Sequence, residues 1–270
     1  MSVPAPLRWW KMDGAGNAFV VLDGRDALPP DRAALASTLC RSGRGPGADG
    51  LLIVAPAGSG GLRVDYLNAD GSPARFCGNG ARCAALFGRE VLGAGGDRLD
   101  LRFPGARVEA DLSGAEITIA IPAPRVLGAP VELEAEAAST CGWLVDAGVL
   151  HLTAPEPPGR VLPLEAWAAA LAAVRPDIVP RVNITLVRVS GARALRVRTL
   201  ERGAGQTAAC GSGALAAAAW AVGSGSIDAT PVDVIPPSGQ RLVVTLAEGR
   251  ARLAGPARFV SRGEIRLPAT

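Results

Sequence analysis

An internal repeat constrains the fold of this 270-residue chain more than any other feature. Two segments run from a strand pattern through a turn and a polar arm into Cys-Gly-X-Gly-Ala, which opens an apolar stretch of helical period. Their cysteines, Cys77 and Cys210, lie 133 residues apart. The same offset relates the helical patterns that begin at Asp31 and Leu164, and the apolar runs LLIVA and ITLVR. We therefore predict an α/β (α+β) fold of two domains related by a pseudo-twofold axis, with both cysteines in the cleft between them.

The repeat also suggests where the two domains meet. We predict a first half over residues 1–123, which carries Cys77, and a second half over residues 124–261, which carries Cys210. The proline-rich stretch Pro122–Pro130 is typical of a linker. We expect a last strand within residues 262–270. It can return to either half, and it is a candidate to complete the first one.

Composition excludes several classes of enzyme. Of the 28 basic residues, only Lys11 is a lysine, so a pyridoxal-phosphate enzyme would have one candidate for its Schiff base, and no lysine follows a glycine-rich phosphate loop. His151 is the only histidine, which rules out a multi-histidine metal site. We therefore expect neither a cofactor nor a metal. The net charge of +3 is dispersed, so we expect no nucleic-acid partner.

The cysteine content and the hydropathy indicate a cytoplasmic protein. The five cysteines form no CxxC pair and are odd in number, which favours reduced thiols over a disulfide framework. No apolar run approaches the ~20 residues that span a bilayer, so no membrane association is expected, and the first residues do not resemble a signal peptide. We interpret Cys40, Cys83 and Cys141 as packing residues.

The two Cys-Gly turns carry the chemistry that we predict. A helix start offers unpaired N–H groups and positive potential to an anion, and it favours the thiolate of a cysteine, so both pKa values should fall below ~8.5. A carboxylate bound by both helix starts would place its α-carbon between two sulfurs. One thiolate can then remove the α-hydrogen while the opposite thiol delivers a proton, which is two-base racemisation of a small amino acid.

At this point the sequence resembles a known family, the cofactor-independent diaminopimelate epimerases. The resemblance rests on KMDGAGNAFVVLD, GPGADGLLIV, YLNADGSPARFCGNGARC, ERGAGQTAACGSGA and AGPARFV, and it covers nearly the whole chain. It implies a fold of two domains, each a mostly antiparallel sheet wrapped around a central helix. It also implies that Cys210 takes the proton from the L,L substrate and that Cys77 donates one to give the meso product, for lysine and peptidoglycan synthesis.

The resemblance implies roles for further residues. His151 and Glu201 match residues that tune the thiols. Gly78, Asn79, Gly211 and Ser212 match the backbone amides that hold the reacting carboxylate. The remaining substrate-binding matches are Asn17, Asn68, Asn183, Glu201 and Arg202, of which Arg202 would pair with the distal carboxylate.

Each of these residues also has an interpretation that involves no substrate. Asn17 and Asn68 also suit turns, Asn183 suits an edge strand, Glu201 and Arg202 suit a solvated ion pair, and His151 suits a packed histidine. Val149 stands where the family has an asparagine that binds the distal end, and Ser261 stands where many members have a tyrosine at a homodimer contact. A racemase of another amino acid and a non-catalytic anion-binding protein are therefore alternatives to the epimerase.

Overall fold

The computed structural model describes residues 6–58, 60–136, 138–159, 161–228 and 230–267. The chain divides into two compact units. The first comprises residues up to Ile119 together with those from Gly255 onward, and the second comprises Ala120–Ala254. Within the described ranges, no helix has both the length and the apolar character needed to cross a membrane.

The first unit contains nine strands and two helices among the described residues. The elements are β1 Leu7–Gly14, β2 Asn17–Asp23, α1 Arg32–Cys40, β3 Gly50–Ala57, β4 Gly61–Asn68, β5 Pro73–Ala74, α2 Gly78–Glu90, β6 Arg98–Phe103, β7 Ala106–Asp111, β8 Ile117–Pro122, which runs into the second unit, and β18 Arg258–Ile265 near the C-terminus.

The second unit repeats this order. Its elements are β9 Arg125–Ala135, β10 Ala138–Asp146, β11 Leu150–Pro155, α3 Leu164–Val174, a short 3-10 helix Val179–Arg181, β12 Val182–Gly191, β13 Ala194–Glu201, β14 Gly205–Gln206, α4 Gly211–Gly223, β15 Val232–Ile235, β16 Leu242–Ala247 and β17 Arg250–Gly255.

Strand pairing follows the repeat. In the first unit, β2 pairs with β3 and β4 with β6 in parallel; in the second, β11 pairs with β12 and β13 with β15 in parallel. The pairs β1–β2, β3–β4 and β6–β7 are antiparallel, as are β10–β11, β12–β13 and β15–β16. In the second unit, β10 pairs with β9, the strand that precedes it in the chain. In the first unit, the equivalent strand β1 pairs instead with β18, near the C-terminus. The first unit is thus completed by a strand from the opposite end of the chain.

The second helix of each unit is central. Ten of the thirteen residues of α2 and nine of the thirteen of α4 are buried, and both helices contact strands on several sides. α4 carries no charged residue and is apolar on nearly all sides, so it must be enclosed. The small residues in GALAAAA allow the strands to approach α4 closely. The predicted fold class, strands wrapped around a central helix in each half, is confirmed.

The first helix of each unit packs on the outside of the strands. Leu35, Ala36 and Leu39 of α1 join an apolar cluster with β2 and β3, and α3 joins an equivalent cluster in the second unit. Asp31 begins α1 as its side chain accepts the Ala34 N–H at 2.9 Å. The two prolines before Asp31 and this cap explain why the sequence located the helix correctly.

Two sequence predictions need correction. The segment Pro122–Pro130 is not a free linker, because β9 starts at Arg125 and pairs with β10. Pro130 lies at an irregularity of that pairing, where its missing N–H breaks no regular ladder bond. The last strand runs over Arg258–Ile265, earlier than predicted, and pairs with β1; residues 268–270 lie outside the described residues.

Candidate active site

Both central helices begin at a cysteine. Cys77 caps α2, and its Sγ accepts the Gly80 N–H at 3.4 Å; Cys210 caps α4, and its Sγ accepts the Gly213 N–H at 3.3 Å. Each sulfur therefore lies at the positive end of a helix, beside the first N–H groups of that helix. These amides belong to Gly78 and Asn79 in the first unit and to their repeat equivalents in the second. The chain thus builds the same cysteine-capped helix start twice.

In the first unit, the turn between β1 and β2 carries Asn17 to Cys77. Asn17 Oδ1 lies 3.9 Å from Cys77 Sγ, and the Asn17 amide donates to Asp49 at 2.7 Å. Asp49 also accepts the Ala18 N–H at 2.8 Å, so it fixes the turn from outside. Ala15, in the same turn, has a φ of 63°, which non-glycine residues rarely adopt. Sequence reasoning found Asn17 but missed Asp49 in GPGADG.

A buried arginine lies inside the α2 turn. Arg82 is fully buried, and its guanidinium donates to Asn79 Oδ1 at 2.8 Å and to the Gly78 carbonyl at 3.4 Å. It also donates to the Pro256 carbonyl at 3.5 Å. Burial lowers the pKa of Arg82, and attraction to Cys83, Cys77 and Glu116 opposes that shift. Sequence reasoning missed Arg82, although a charged residue within an apolar helical stretch is itself a signal.

Asn68 lies at the end of β4, in a compact polar turn. Its amide donates to Ser72 Oγ at 2.9 Å, and Ser72 in turn donates to Asp70 at 2.6 Å. Asn68 is half-buried, so its side chain is held by the turn while it keeps access to solvent. The local interpretation of Asn68 as a turn residue agrees with these contacts, and they leave a binding role open.

In the second unit, His151 reaches Cys210 through a serine. His151 Nε2 lies 2.9 Å from Ser212 Oγ, which lies 3.4 Å from Cys210 Sγ. His151 Nδ1 lies 2.9 Å from Thr185 Oγ1. The histidine is fully buried, and burial together with the charge of Arg202 lowers its pKa to about 3. At neutral pH, therefore, His151 is an uncharged imidazole.

The expected low pKa is wrong for Cys210. Burial raises the pKa of this thiol well above its usual value, and the charge of Glu201 raises it further. The bonds from Ser212 and the Gly213 N–H act in the opposite direction but are the smaller effects. Loss of water around a buried sulfur opposes the effect of the helix start, and Cys210 is only 6% exposed. In the resting protein, Cys210 is a protonated thiol.

Three further predicted residues lie at the end of β13 and on the neighbouring strand β12. Glu201 accepts a bond from Thr207 Oγ1 at 2.6 Å, and Asn183 Oδ1 accepts the Arg202 N–H at 3.0 Å. The Arg202 side chain is exposed, and its Nη1 donates to the Pro180 carbonyl at 2.9 Å. Asn183 thus anchors the backbone of the loop, and the Arg202 guanidinium retains donors that face solvent.

The other cysteines differ in burial. Cys40 and Cys83 are buried, as predicted, and burial raises the pKa of Cys40 to about 12 and that of Cys83 further. Cys141, predicted to be in the core, is only half-buried on β10. None of the three caps a helix among the described residues.

Comparison with solved structures defines the class of fold. A protein described as a predicted epimerase from Pseudomonas aeruginosa superimposes with a TM-score of 0.72 at 18% identity, covering 97% of this chain and 100% of that one. A hydroxyproline epimerase from Agrobacterium vitis, with bound trans-4-hydroxy-L-proline, superimposes with a TM-score of 0.70 at 15% identity, covering 98% and 92%. The chain therefore has the two-unit fold of this group of epimerases.

Sequence comparison then identifies the family. The family model described as diaminopimelate epimerase matches residues 9–121 and 160–260. The diaminopimelate epimerase of Xanthomonas euvesicatoria is 37% identical over 276 residues, covering 96% of each chain, and that of Desulforudis audaxviator is 32% identical, covering 96% and 99%. The chain belongs to the diaminopimelate epimerase family.

Proposed function

We propose that the protein interconverts L,L- and meso-diaminopimelate without a cofactor. The observation that carries this proposal is the pair of cysteine caps, one at the start of each central helix. Family membership supplies the substrate, a small amino acid with two carboxylates. The curated relatives reported above bear this name, and no comparison favours another amino acid, even though Val149 replaces the family's distal asparagine.

The two sulfurs act on opposite faces of one α-carbon in this proposal. Cys210 removes the α-proton from the L,L substrate, and Cys77 delivers a proton to the other face to give the meso product. Because Cys210 rests as a thiol, it must first lose its proton, and Glu201, which repels its thiolate charge, is the adjacent carboxylate that can accept it. His151 takes part as a neutral hydrogen-bonding group, since its pKa is about 3.

In this proposal, both units also contribute groups that bind the substrate. The reacting carboxylate accepts bonds from the amides of Gly78 and Asn79 in the first unit and of Gly211 and Ser212 in the second. The side chains that complete the site are Asn17, Asn68, Asn183, Glu201 and Arg202. The exposed Arg202 guanidinium suits the distal carboxylate, and the Glu201 carboxylate suits the ammonium groups.

We further propose that the protein acts in the cytoplasm as a homodimer. Phe259 and Val260 of β18 are 37% and 55% exposed, and with Trp10 and Ser261 they line a groove of about 340 Å³. Burying two apolar side chains against a second copy would favour association. Val260→Arg should give a monomer in sedimentation velocity, whereas an unchanged species would locate the contact elsewhere.

The test of the epimerase is isotope exchange in heavy water. Reduced enzyme with L,L-diaminopimelate and no added cofactor should place deuterium at the α-carbon, which mass spectrometry detects. Cys77→Ala and Cys210→Ala should each abolish epimerisation, while Cys141→Ala, which alters a half-buried thiol outside both turns, should keep it. Absence of exchange in the reduced protein contradicts the proposal. Faster turnover of a monocarboxylic amino acid would assign the same chemistry to another substrate.

A further inference from the structure

A line of four hydrogen bonds leads from the interior of the second unit to the Cys210 sulfur. Thr199 Oγ1 lies 3.1 Å from Thr185 Oγ1, which lies 2.9 Å from His151 Nδ1. On the far side of the ring, Nε2 lies 2.9 Å from Ser212 Oγ, which lies 3.4 Å from Cys210 Sγ. The histidine and both threonines are at most 2% exposed, so protein groups alone must satisfy them.

Thr199 is the buried end of this line, and it decides which group donates in each hydrogen bond. Among the described residues, Thr185 is the hydrogen-bond partner of the Thr199 hydroxyl. A buried hydroxyl proton without an acceptor is costly, so the Thr199 hydroxyl donates to Thr185. Thr185 has a single proton of its own, and the remaining neighbour in reach is His151 Nδ1. Thr185 therefore donates to Nδ1.

The direction of the remaining bonds follows. Because Nδ1 accepts a bond, the proton of the neutral imidazole is on Nε2, which donates to Ser212 Oγ. The Ser212 proton is then free to point at the Cys210 sulfur. Each hydroxyl or ring that accepts a bond becomes a stronger donor to the next group, so the line acts cooperatively on the sulfur.

We propose that Thr185 is a positioning residue: it holds His151 as the Nε2–H tautomer and so directs the Ser212 hydroxyl at Cys210, where it stabilises the thiolate. The inference rests on the proposed function only in that Cys210 is the thiol that reacts. The charged groups that face this line are Glu201, which opposes the thiolate, and Arg202, whose charge adds to burial in keeping the imidazole neutral. No member of the line needs to change its charge.

The first unit provides an internal comparison. At the positions equivalent by the 133-residue offset, Leu52 and Tyr66 stand in place of Thr185 and Thr199. The strands of the first unit therefore enclose its central helix without a pair of threonines at these positions. The hydroxyls of the second unit also touch the helix start, since a Cβ on Gly213 would lie 2.6 Å from Thr199 Oγ1. Packing around the central helix therefore does not by itself require the threonine pair, which occurs only at the Cys210 turn.

The tautomer can be read directly because His151 is the only histidine in the chain. Protein labelled with ¹⁵N-histidine and carrying no histidine tag gives one imidazole spin system. Two-bond proton–nitrogen correlations should show a neutral ring with the proton on Nε2 at neutral pH. A ring protonated on Nδ1 would overturn the assignment.

The reactivity of Cys210 tests the effect on the sulfur. In a Cys77→Ser background, Thr185→Val should slow alkylation of Cys210 by iodoacetamide at neutral pH by about three- to tenfold, with the pH profile moved upward, because one bond of the line is lost. Thr185→Ser, which keeps the hydroxyl, should restore the profile. A Thr185→Val profile that coincides with the parent would refute the proposal.

Thr153→Val is the matched control. Thr153 is a fully buried threonine on the same strand as His151, and its hydroxyl has no hydrogen-bond partner among the described residues. The control should leave both the tautomer and the alkylation profile unchanged. If Thr153→Val changed them as much as Thr185→Val does, the effect would come from altered packing and not from the lost hydrogen bond. Neither readout needs turnover, so failure of isotope exchange with both readouts as expected would reject the epimerase and retain the hydrogen-bond line.

Discussion

Gly213→Ala tests how closely the threonine pair packs against the α4 turn. A Cβ at this position would lie 2.6 Å from Thr199 Oγ1 and 3.2 Å from Thr185 Oγ1, both inside the normal contact distance. Thr199 is β-branched and 2% exposed, so its side chain cannot rotate away freely. Overpacking of this kind costs about 1–3 kcal/mol of unfolding free energy.

Gly223 provides the control on the same helix. No heavy atom lies within 4 Å of a Cβ built there, so Gly223→Ala should be neutral or stabilise the protein by up to about 1 kcal/mol through helix propensity. Gly80→Ala makes the equivalent change in α2. Its nearest neighbour is Leu52 Cδ2 at 3.3 Å, the end of a flexible side chain, so we expect a cost below about 1 kcal/mol.

Urea unfolding followed by circular dichroism measures all three variants. The order of stability should be Gly223→Ala, then Gly80→Ala, then Gly213→Ala, with unchanged m values. Combining Gly213→Ala with Thr199→Ala removes the closest clashing atom, so the double variant should lose less than the sum of the two single changes. Equal stability of Gly213→Ala and Gly223→Ala, or strict additivity in the cycle, would refute the packing on which the reasoning rests.

Three other expectations concern charge and reactivity. Because the pKa of His151 is about 3 when folded and about 6.5 when unfolded, the unfolded chain binds the extra proton as the pH falls below about 6.5. The wild type should therefore lose up to about 1.4 kcal/mol per pH unit from this group between pH 6.5 and 5, relative to His151→Gln, in urea unfolding at each pH; parallel stability curves would contradict this. Arg82→Met removes three hydrogen bonds of a buried guanidinium and should cost about 1–3 kcal/mol of stability, with Arg63→Met, at an exposed position of the same unit, as the control in the same assay. Iodoacetamide should modify the half-buried Cys77 before Cys210, whose pKa is raised; peptide mapping that finds Cys210 modified first would contradict the burial argument.

The repeat made much of the fold predictable. A single offset of 133 residues carries α2 onto α4 and β4 onto β13 without error, because the apolar periodicity and the Cys-Gly caps are local signals. The linker prediction failed for the opposite reason. Pro122–Pro130 is proline-rich, but whether such a stretch pairs as a strand depends on a partner, here β10, that periodicity does not identify.

Residues of the candidate site could be predicted where the family resemblance or a helix cap pointed to them. Residues whose role depends on buried contacts could not be predicted from the sequence. Asn17, Asn183 and Ser212 were named in advance, yet Asp49 and Thr185 were not, because their importance lies in what they hydrogen-bond. The pKa of Cys210 was predicted in the wrong direction because a sequence shows the helix start and hides the degree of burial.

The differences between the two repeats bear on the two-base chemistry that we propose. A two-base reaction needs one sulfur as acid and the other as base at the same moment, so identical surroundings would work against it. The backbone of the turn is repeated, but a buried guanidinium, Arg82, lies behind Cys77, whereas a carboxylate, Glu201, acts on Cys210. Where the second unit needs a thiolate at Cys210, the line through Ser212 can stabilise it without adding a charge to the interior. The asymmetry between the two units therefore lies in the side chains around the helix starts, with Arg82 in the first unit and Glu201 in the second.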